Sequence, residues 1–277
     1  MSGILYLVGT PIGNLSDFSP RAKSTLESVD FIAAEDTRVT LKLLNYFNIF
    51  KPMVSYFEHN RVGSGKKILA RLLEGETCAL VTDAGMPAIS DPGEDLVRLC
   101  AEHGVTVITI PGPCAAISAL AVSGLPTQRF CFEGFLSTSK KSRLQHLESL
   151  KEETRTMIFY EAPHKLVSTL HDMLDILGDR PIALCRELTK LHEEVIRSTL
   201  SGAITLFEEE RIPKGEFVLI LQGAEQKNRS RLSMDEALAL VAQYREAGKS
   251  LKEATKLAAG ESGYSKNELY DMAVKQS

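Results

Sequence analysis

The chain has 277 residues, of which 44% are apolar and 25% charged, with 19 Gly and 11 Pro. This composition excludes a disordered, collagen-like or low-complexity polymer and supplies enough apolar residues for one large domain or two ordinary ones. The formal net charge of −4 excludes a protein that holds nucleic acid by bulk electrostatics, so an anionic partner would have to meet local basic patches.

The sequence further indicates a soluble, cytoplasmic protein without a bound metal. Its most apolar stretch, residues 105–125, is interrupted by Pro111, Gly112 and Pro113, so it cannot form a membrane-spanning helix. The first residues carry no basic segment or cleavage-like site, and the five cysteines are scattered without a C-x-x-C pair. We therefore expect reduced cysteines and no metal site.

In the first half of the chain, short β-branched runs alternate with amphipathic segments, which predicts an α/β lobe built on mostly parallel strands. Strands are predicted at Ile4–Val8, Asp30–Ala34, Thr77–Thr82 and Val105–Ile110. A helix is predicted from the cap Ser19 and first-turn Pro20 to about Val29. Further helices are predicted at 61–73 and 92–103, with Asp91 as the cap of the latter.

A second alternating series follows, which predicts a second α/β lobe. Its strands are predicted near Phe130–Phe132, Arg155–Tyr160, Ile182–Cys185, Val195–Ser198 and Phe217–Leu221. We therefore expect an N-terminal α/β lobe at 1–122 and a second lobe at 123–225, each with a mostly parallel sheet flanked by helices.

A small helical appendage is predicted at 232–277, after a polar linker. Three apolar repeats at three-to-four spacing predict three short helices. From residue 227 onward the chain has nine Lys and Arg against seven Asp and Glu, whereas the first 226 residues have 23 against 29. Three such helices have the outline of a helix-turn-helix, but a packing cap or a dimerisation element is the simpler explanation and the one we favour.

Three loops that follow predicted strands could form a ligand cleft, because α/β folds bind ligands at the carboxyl ends of their strands. They are Gly9–Leu15, Thr82–Gly93 and Ile110–Ala116, all rich in Gly, Pro or Ala. None has the spacing of a dinucleotide fingerprint or a phosphate-binding loop. Asp83, at a strand end, could accept hydrogen bonds from an amine or hydroxyl, or could simply cap the turn.

These loops and four further segments resemble the tetrapyrrole-methylase-like (class III) methyltransferases, and within that family the branch that modifies ribosomal RNA. The matching segments are Gly9–Leu15, Ala34–Arg38, Asp83–Gly93, Pro111–Pro113, Phe132–Leu136, Phe159–His164 and Glu187–Glu194. The resemblance runs in order from about residue 3 to 224. Asp83-Ala84-Gly85 stands where the tetrapyrrole enzymes have Gly-Asp-Pro, which favours the RNA branch over a porphyrinoid substrate.

The resemblance implies a two-lobed, homodimeric enzyme that binds S-adenosylmethionine between its lobes. The implied substrate is 16S rRNA in the small ribosomal subunit, and the implied product is a 2′-O-methylated cytidine in the decoding region. Carried over by motif, the cofactor positions are Pro11, Asp83, Ala84, Pro87, Cys114, Ala115, Tyr160, Glu161, Ala162, Leu188 and Thr189, with Pro213 and Lys214 near the adenine.

A ribose hydroxyl is a weak acid, so a general base or a cation that favours the alkoxide should assist methyl transfer. Ionisable groups in or beside the matching motifs are the candidates, first Glu35, Asp36, Glu133 and Lys190, and also Asp83, Glu161, His164 and His192. Cationic side chains are the candidates for RNA phosphates, namely Arg38, Lys140, Lys141, Arg143 and Arg186, with Lys190 as a further one. Tyr160 or Phe135 could stack on a splayed base.

Two other functions stay open at this point. A small-molecule methyltransferase acting on a corrin or porphyrin precursor would bind a coloured macrocycle and ignore ribosomes. A nonenzymatic RNA-binding assembly factor would bind ribosomes without any dependence on S-adenosylmethionine.

Overall fold

The computed structural model describes residues 2–225 and 232–275. The chain forms two compact units, Met1–Ala224 and Glu225–Ser277. The basic linker segment 227–231 that the charge pattern singles out lies outside the described residues. Within the described ranges, every helix is too short or too polar to cross a membrane.

The first sheet contains five parallel strands. They are β1 (Ile4–Val8), β2 (Phe31–Ala34), β3 (Met53–Ser55), β4 (Cys78–Val81) and β5 (Thr106–Ile110), in the spatial order β3-β2-β4-β1-β5. Every adjacent pair is parallel, with Tyr6 opposite both Ala79 and Ile108. The parallel lobe predicted from the alternating pattern is confirmed, and all five carboxyl ends lie along one edge of the sheet.

Helices cover both faces of this sheet, which explains why its strands are continuous apolar runs. They are α1 (Pro20–Ser28), α2 (Thr37–Tyr46), α3 (Arg61–Leu73) and α4 (Glu94–Glu102). Leu26 and Leu44, from α1 and α2, pack in a core on one face. Ile68 and Leu96, from α3 and α4, pack on the opposite face. The sheet is thereby fixed between two hydrophobic layers, and its loops emerge at the edges.

The two predicted helix caps have different outcomes. The Ser19 hydroxyl accepts a hydrogen bond from the Ala22 N–H (3.0 Å), so the predicted N-cap of α1 is confirmed. The prediction that Asp91 caps α4 is wrong. That helix begins at Glu94 after Gly93, whose φ of 146° is suited to glycine, and Asp91 lies on the wall of a cavity instead.

The second sheet also has five strands, but it is mixed. They are β6 (Phe130–Phe135), β7 (Thr156–Glu161), β8 (Pro181–Arg186), β9 (Glu194–Thr199) and β10 (Phe217–Leu221), in the order β6-β7-β10-β8-β9. Only β6 and β7 are parallel within it, while β7–β10, β10–β8 and β8–β9 are antiparallel. The expectation of a mostly parallel second sheet is therefore wrong. The loop 187–193 between β8 and β9 is too short for a parallel crossover, which needs a dozen or more residues.

Helices flank this sheet as well. They are α5 (Ala115–Ser123), α6 (Lys140–Ser149), α7 (Leu166–Leu177) and α8 (Leu200–Thr205), which continues into a π-helical turn at Leu206–Glu210. Helix α5 packs on the second sheet, where Ala119 and Leu120 meet Ile158 and Ile220. Both sheets belong to the unit Met1–Ala224, and its division into lobes at residue 122 stays a prediction.

The C-terminal unit contains the three predicted helices. They are α9 (Met234–Glu246), α10 (Leu251–Ser262) and α11 (Lys266–Lys275). Ser233 with Glu236, and Ser250 with Glu253, form capping boxes that begin α9 and α10. A small core that includes Val241 holds the three helices together.

Candidate active site

Three loops of the first sheet are held together at the carboxyl ends of β4, β1 and β5. The Thr10 N–H donates to the Gly85 carbonyl (2.9 Å), and the Gly85 N–H donates back to the Thr10 carbonyl (3.1 Å). The Thr10 hydroxyl also donates to the Thr82 carbonyl (3.2 Å). A Cβ on Gly9 would lie 2.7 Å from the Gly112 Cα, so two glycines allow the first and third loops to touch. The predicted convergence of these three loops is confirmed.

The second sheet supplies an aromatic wall opposite these loops. Tyr160, near the end of β7, accepts a hydrogen bond at its hydroxyl from the Ala116 N–H (3.2 Å) in the first turn of α5. Phe135, at the end of β6, lies with its ring centroid 5.4 Å from that of Tyr160, at an interplanar angle of 60°. The Phe135 side chain is nevertheless 58% exposed, so one side of this pair is open to a ligand.

Loops and wall enclose a cavity of about 450 Å³. The loop after β4 contributes residues 82–86 and 89–91, the start of α5 contributes 114–115, and the ends of β6 and β7 contribute 135 and 160–163. Residues 216–218 at the start of β10, together with Ile12 and Glu35, complete the wall. Five carboxylates line this cavity, whereas no lysine or arginine does so among the described residues. The site therefore favours a ligand that carries positive charge and hydrogen-bond donors.

Three of these carboxylates lie near Thr82. Glu35 accepts a hydrogen bond from the Thr82 hydroxyl (2.5 Å), and Asp83 accepts one from the Asp36 N–H (3.2 Å). Burial raises the pKa of Asp83, and the Glu35 charge adds to the rise. Burial, followed by the charge of Glu35, raises the pKa of Asp91 to about 6, although a side-chain hydrogen bond with Thr82 opposes the shift. Part of this acidic wall therefore titrates near neutral pH.

The structure brings most of the proposed cofactor positions into one place. Asp83, Ala84, Cys114, Ala115, Tyr160, Glu161 and Ala162 all line the cavity. The remaining positions, Pro11, Pro87, Leu188 and Thr189, lie outside its wall. Leu188 is buried in the core beneath α5, and Thr189 adopts a left-handed φ of 67° in the loop after β8.

The candidate catalytic residues separate into one cavity residue and three with other partners. Glu35 lines the cavity. Asp36 pairs with Arg38 (2.6 Å), and this contact lowers the pKa of Asp36 to about 2. Glu133 accepts a hydrogen bond from the His146 Nε2 (2.9 Å). Lys190 donates to Glu187 (2.9 Å) and to Glu216 (2.8 Å), so it reaches the cavity only through the second of these carboxylates.

The residues proposed to contact RNA are exposed, mostly covered or buried in the structure. Lys140 and Lys141 are exposed at the start of α6, and the Arg38 side chain is 87% exposed although it pairs with Asp36. Arg186 is mostly covered, and its Nε donates to the Lys214 carbonyl (2.6 Å).

Arg143 contradicts its predicted role. Its side chain is 10% exposed and donates to Asp172 (2.6 Å), also 10% exposed, so it joins α6 to α7. Arg143 is therefore not available to an RNA phosphate, because its place on α6 directs the side chain toward α7, unlike Lys140 and Lys141 before it.

Sequence reasoning missed several cavity residues. The sequence predicts a helix cap at Asp91 and no role for Ser90 or Glu216, yet all three line the cavity. Ala88 and Ser90 both have left-handed φ values, 67° and 62°, which are uncommon for non-glycine residues and cluster at functional sites. The sequence carried a weak signal of this, since a twelve-residue loop with two aspartates is costly to order without a ligand.

Two sheets flanked by helices, with a cavity between their loops, agree with the architecture that the resemblance to class III methyltransferases implies. A family profile described as Tetrapyrrole (Corrin/Porphyrin) Methylases matches residues 4–204. The chain belongs to this family, and the resemblance found in the sequence is confirmed.

The similar proteins include two relatives named "Ribosomal RNA small subunit methyltransferase I". One, from a Synechocystis strain, is 49% identical over 99% of this chain and 98% of its own. Another, from Thermotoga maritima, is 51% identical over 80% of this chain and 100% of its own. The crystal structure of uroporphyrin-III-C-methyltransferase from Thermus thermophilus has a TM-score of 0.55 at 18% identity, covering 79% of this chain and 94% of that one. This last likeness concerns the fold alone.

Proposed function

We propose that this protein transfers a methyl group from S-adenosylmethionine to the ribose 2′-oxygen of a cytidine in the decoding region of 16S rRNA, in the small ribosomal subunit. The observation that carries the proposal is the acidic cavity formed by the matching loops, in a chain related over nearly its whole length to proteins named as rRNA small subunit methyltransferases. A different substrate would require different residues on the side of the cavity that binds the methyl acceptor.

The cavity suits this methyl donor. Its volume of about 450 Å³ lies within the usual range for small-molecule sites. S-adenosylmethionine supplies an electrophilic methyl group on a positively charged sulfonium, and it carries no phosphate. The five carboxylates complement that charge, and Ala84, Ala115 and Ala162 leave backbone groups open to close approach. Asp83 is the side chain we expect to accept hydrogen bonds from the donor.

The proposed positions outside the wall would act through packing. Leu188 supports α5 from below, and Thr189 shapes the loop after β8, where its N–H donates to Glu193 (2.5 Å). Pro11 and Pro87 stiffen the loops that carry Ile12 and Met86 into the wall. We expect substitutions at these four positions to weaken donor binding less than substitution of Asp83.

The acceptor nucleotide would enter over the exposed aromatic face. Phe135 is the better platform for a base, because the Tyr160 hydroxyl is held by the start of α5. Stacking of a splayed base on an aromatic ring is the usual way in which single-stranded RNA is held. The exposed cations Arg38, Lys140 and Lys141 would then contact phosphates without reading sequence.

We also propose that the protein is cytoplasmic and homodimeric and that the helical unit serves the RNA substrate. The cytoplasm is where ribosomal subunits are found, and exposed apolar side chains such as Phe50 (80%) and Tyr46 (63%) offer surface for a second copy. All residues that line the cavity belong to the unit Met1–Ala224. Deleting 233–277 should therefore impair methylation of subunits more than donor binding, and sedimentation should give twice 30.5 kDa.

The experiment is methyl transfer from isotopically labelled S-adenosylmethionine to small subunits that lack ribose methylation, with mass spectrometry of the nucleosides. We expect label on a cytidine ribose of 16S rRNA. An Asp83→Ala variant should bind the donor more weakly in calorimetry, whereas Asp175→Ala, exposed on α7, should bind it normally. Tight donor binding without transfer to subunits would refute the RNA substrate, and transfer to a porphyrinoid would replace it.

A further inference from the structure

The loop between β4 and α4 places two carboxylates in the candidate active site, Asp83 and Asp91, and the family resemblance implies a role only for Asp83. We propose that Asp91 accepts the proton of the acceptor hydroxyl during methyl transfer. This role rests on the proposed function, because it presupposes an acceptor whose oxygen must lose a proton. General bases of this kind accelerate reactions typically by 10² to 10⁴-fold.

The other acidic candidates are already committed to structural partners. Glu161 is 3% exposed, and its two carboxylate oxygens accept from the Ala162 N–H (2.9 Å) and the Thr169 hydroxyl (2.6 Å). Asp36 is held by Arg38 at a pKa of about 2, which makes it a weak base. Glu35 likewise accepts from the Thr82 hydroxyl (2.5 Å) and Glu216 from Lys190 (2.8 Å), while Asp83 is the side chain that we assign to the methyl donor. Proton transfer therefore falls to Asp91, which lines the cavity.

Asp91 lies on the acceptor side of the cavity. Ser90, next to it, brings its hydroxyl oxygen to within 3.2 Å of where a Cβ would stand on Gly134, the residue before Phe135. The charge of Asp91 also helps to raise the pKa of Tyr160, although burial is the main cause. Asp91 therefore lines the same cavity as the aromatic pair on which we place the acceptor base, in a loop that approaches β6.

The surroundings of Asp91 are suited to receiving a proton. Burial and the charge of Glu35 bring its pKa to about 6, with Asp83 adding to the rise. A carboxylate with this pKa is largely ionised at neutral pH, yet it is a stronger base than an ordinary aspartate. The Thr82 hydroxyl, which donates to Glu35, also lies close to Asp91, and its interaction there favours the ionised carboxylate that would accept the proton.

The proposed step balances without another reactant. The 2′-oxygen forms a bond to the methyl carbon as the bond from that carbon to sulfur breaks, and the electron pair stays on sulfur. The hydroxyl proton passes to the Asp91 carboxylate and later leaves to solvent. Neutral thioether and 2′-O-methyl ribose are the products, and nothing is oxidised or reduced.

The test uses Asp91→Asn in the full-length protein, with Asp175→Asn as the matched control on exposed α7. We expect Asp91→Asn to lower kcat for subunit methylation by about 100-fold or more, with the affinity for S-adenosylmethionine changed less than about threefold. In wild type, kcat should increase with pH and level off above an apparent pKa at or below about 6. This increase should be absent from Asp91→Asn.

A measurement without turnover supports the same assignment. Carboxyl ¹³C resonances of selectively labelled aspartate should include one that titrates near pH 6 in wild type and is absent from Asp91→Asn. Loss of kcat together with that resonance would establish the role. Full kcat in Asp91→Asn, with active wild type, would overturn the role of Asp91 alone. Wild type that methylates no subunits would overturn the proposed function and this role with it.

Discussion

The ion pair between Arg143 and Asp172 gives the sharpest test of how the second lobe is held together. The Arg143 Nε lies 2.6 Å from the Asp172 carboxylate, and both side chains are 10% exposed. Among the described residues, Asp172→Ala would leave the guanidinium with only the Ser137 carbonyl, at 3.3 Å, as a hydrogen-bond partner. Removing one member of a buried pair strands the other charge, which costs about 3–5 kcal/mol.

We therefore expect Asp172→Ala to lose about 3–5 kcal/mol of unfolding free energy and about 10 °C in Tm. Urea denaturation followed by circular dichroism should show a lower midpoint with an unchanged slope. Asp175→Ala, exposed on the same helix, should change stability by less than about 0.5 kcal/mol. The double variant Arg143→Met/Asp172→Leu should recover most of the loss, because apolar side chains of similar volume replace such pairs well.

A loss below about 1 kcal/mol in Asp172→Ala would refute the reasoning, because it would mean that the Arg143 charge is solvated when unpaired. Arg143→Met offers an independent check on the corrected role of this residue. Weaker binding of rRNA by Arg143→Met at unchanged stability would support a contact between Arg143 and RNA. Reduced stability at an unchanged affinity of the folded protein for rRNA would support the structural role.

Phe135→Ala should raise the apparent KM for subunits about fivefold or more without changing donor affinity, because base stacking contributes about 1–3 kcal/mol. Phe130→Ala on the same strand, at a side chain 38% exposed, is the control, and equal effects of the two would contradict the stacking role. Gly112→Ala would place a Cβ 2.8 Å from the Gly9 Cα, so calorimetry should find weaker donor binding and denaturation a loss of about 1–3 kcal/mol. Because the folded pKa of Asp91, about 6, exceeds its ordinary value of 3.8, the folded state retains this proton longer as pH rises. Wild type should therefore lose about 1–3 kcal/mol relative to Asp91→Asn between pH 4 and pH 7, and parallel stability curves would disprove the shift.

The local sequence already determined much of the first lobe. Strand β1 and helix α3 have the predicted bounds, and Ser19 caps α1, because each depends on residue spacing within one short segment. The three cleft loops were also visible, since glycine, proline and small residues after a strand are properties of the segment itself. The family resemblance added the positions from β7 that meet those loops.

The tertiary structure alone decided how distant segments combine. A short apolar segment has the same sequence pattern in a parallel and in an antiparallel sheet. The residues of β10 therefore could not show that this strand lies between β7 and β8. The basic run before Arg143 gave no hint of its carboxylate partner, which comes 29 residues later on α7. Asp91 had the spacing of a helix cap, but its surroundings depend on Glu35, which follows β2 and lies more than 50 residues earlier in the chain. Burial, ion pairing and pKa are set by neighbours far apart in the chain, and only the folded structure brings those neighbours into contact.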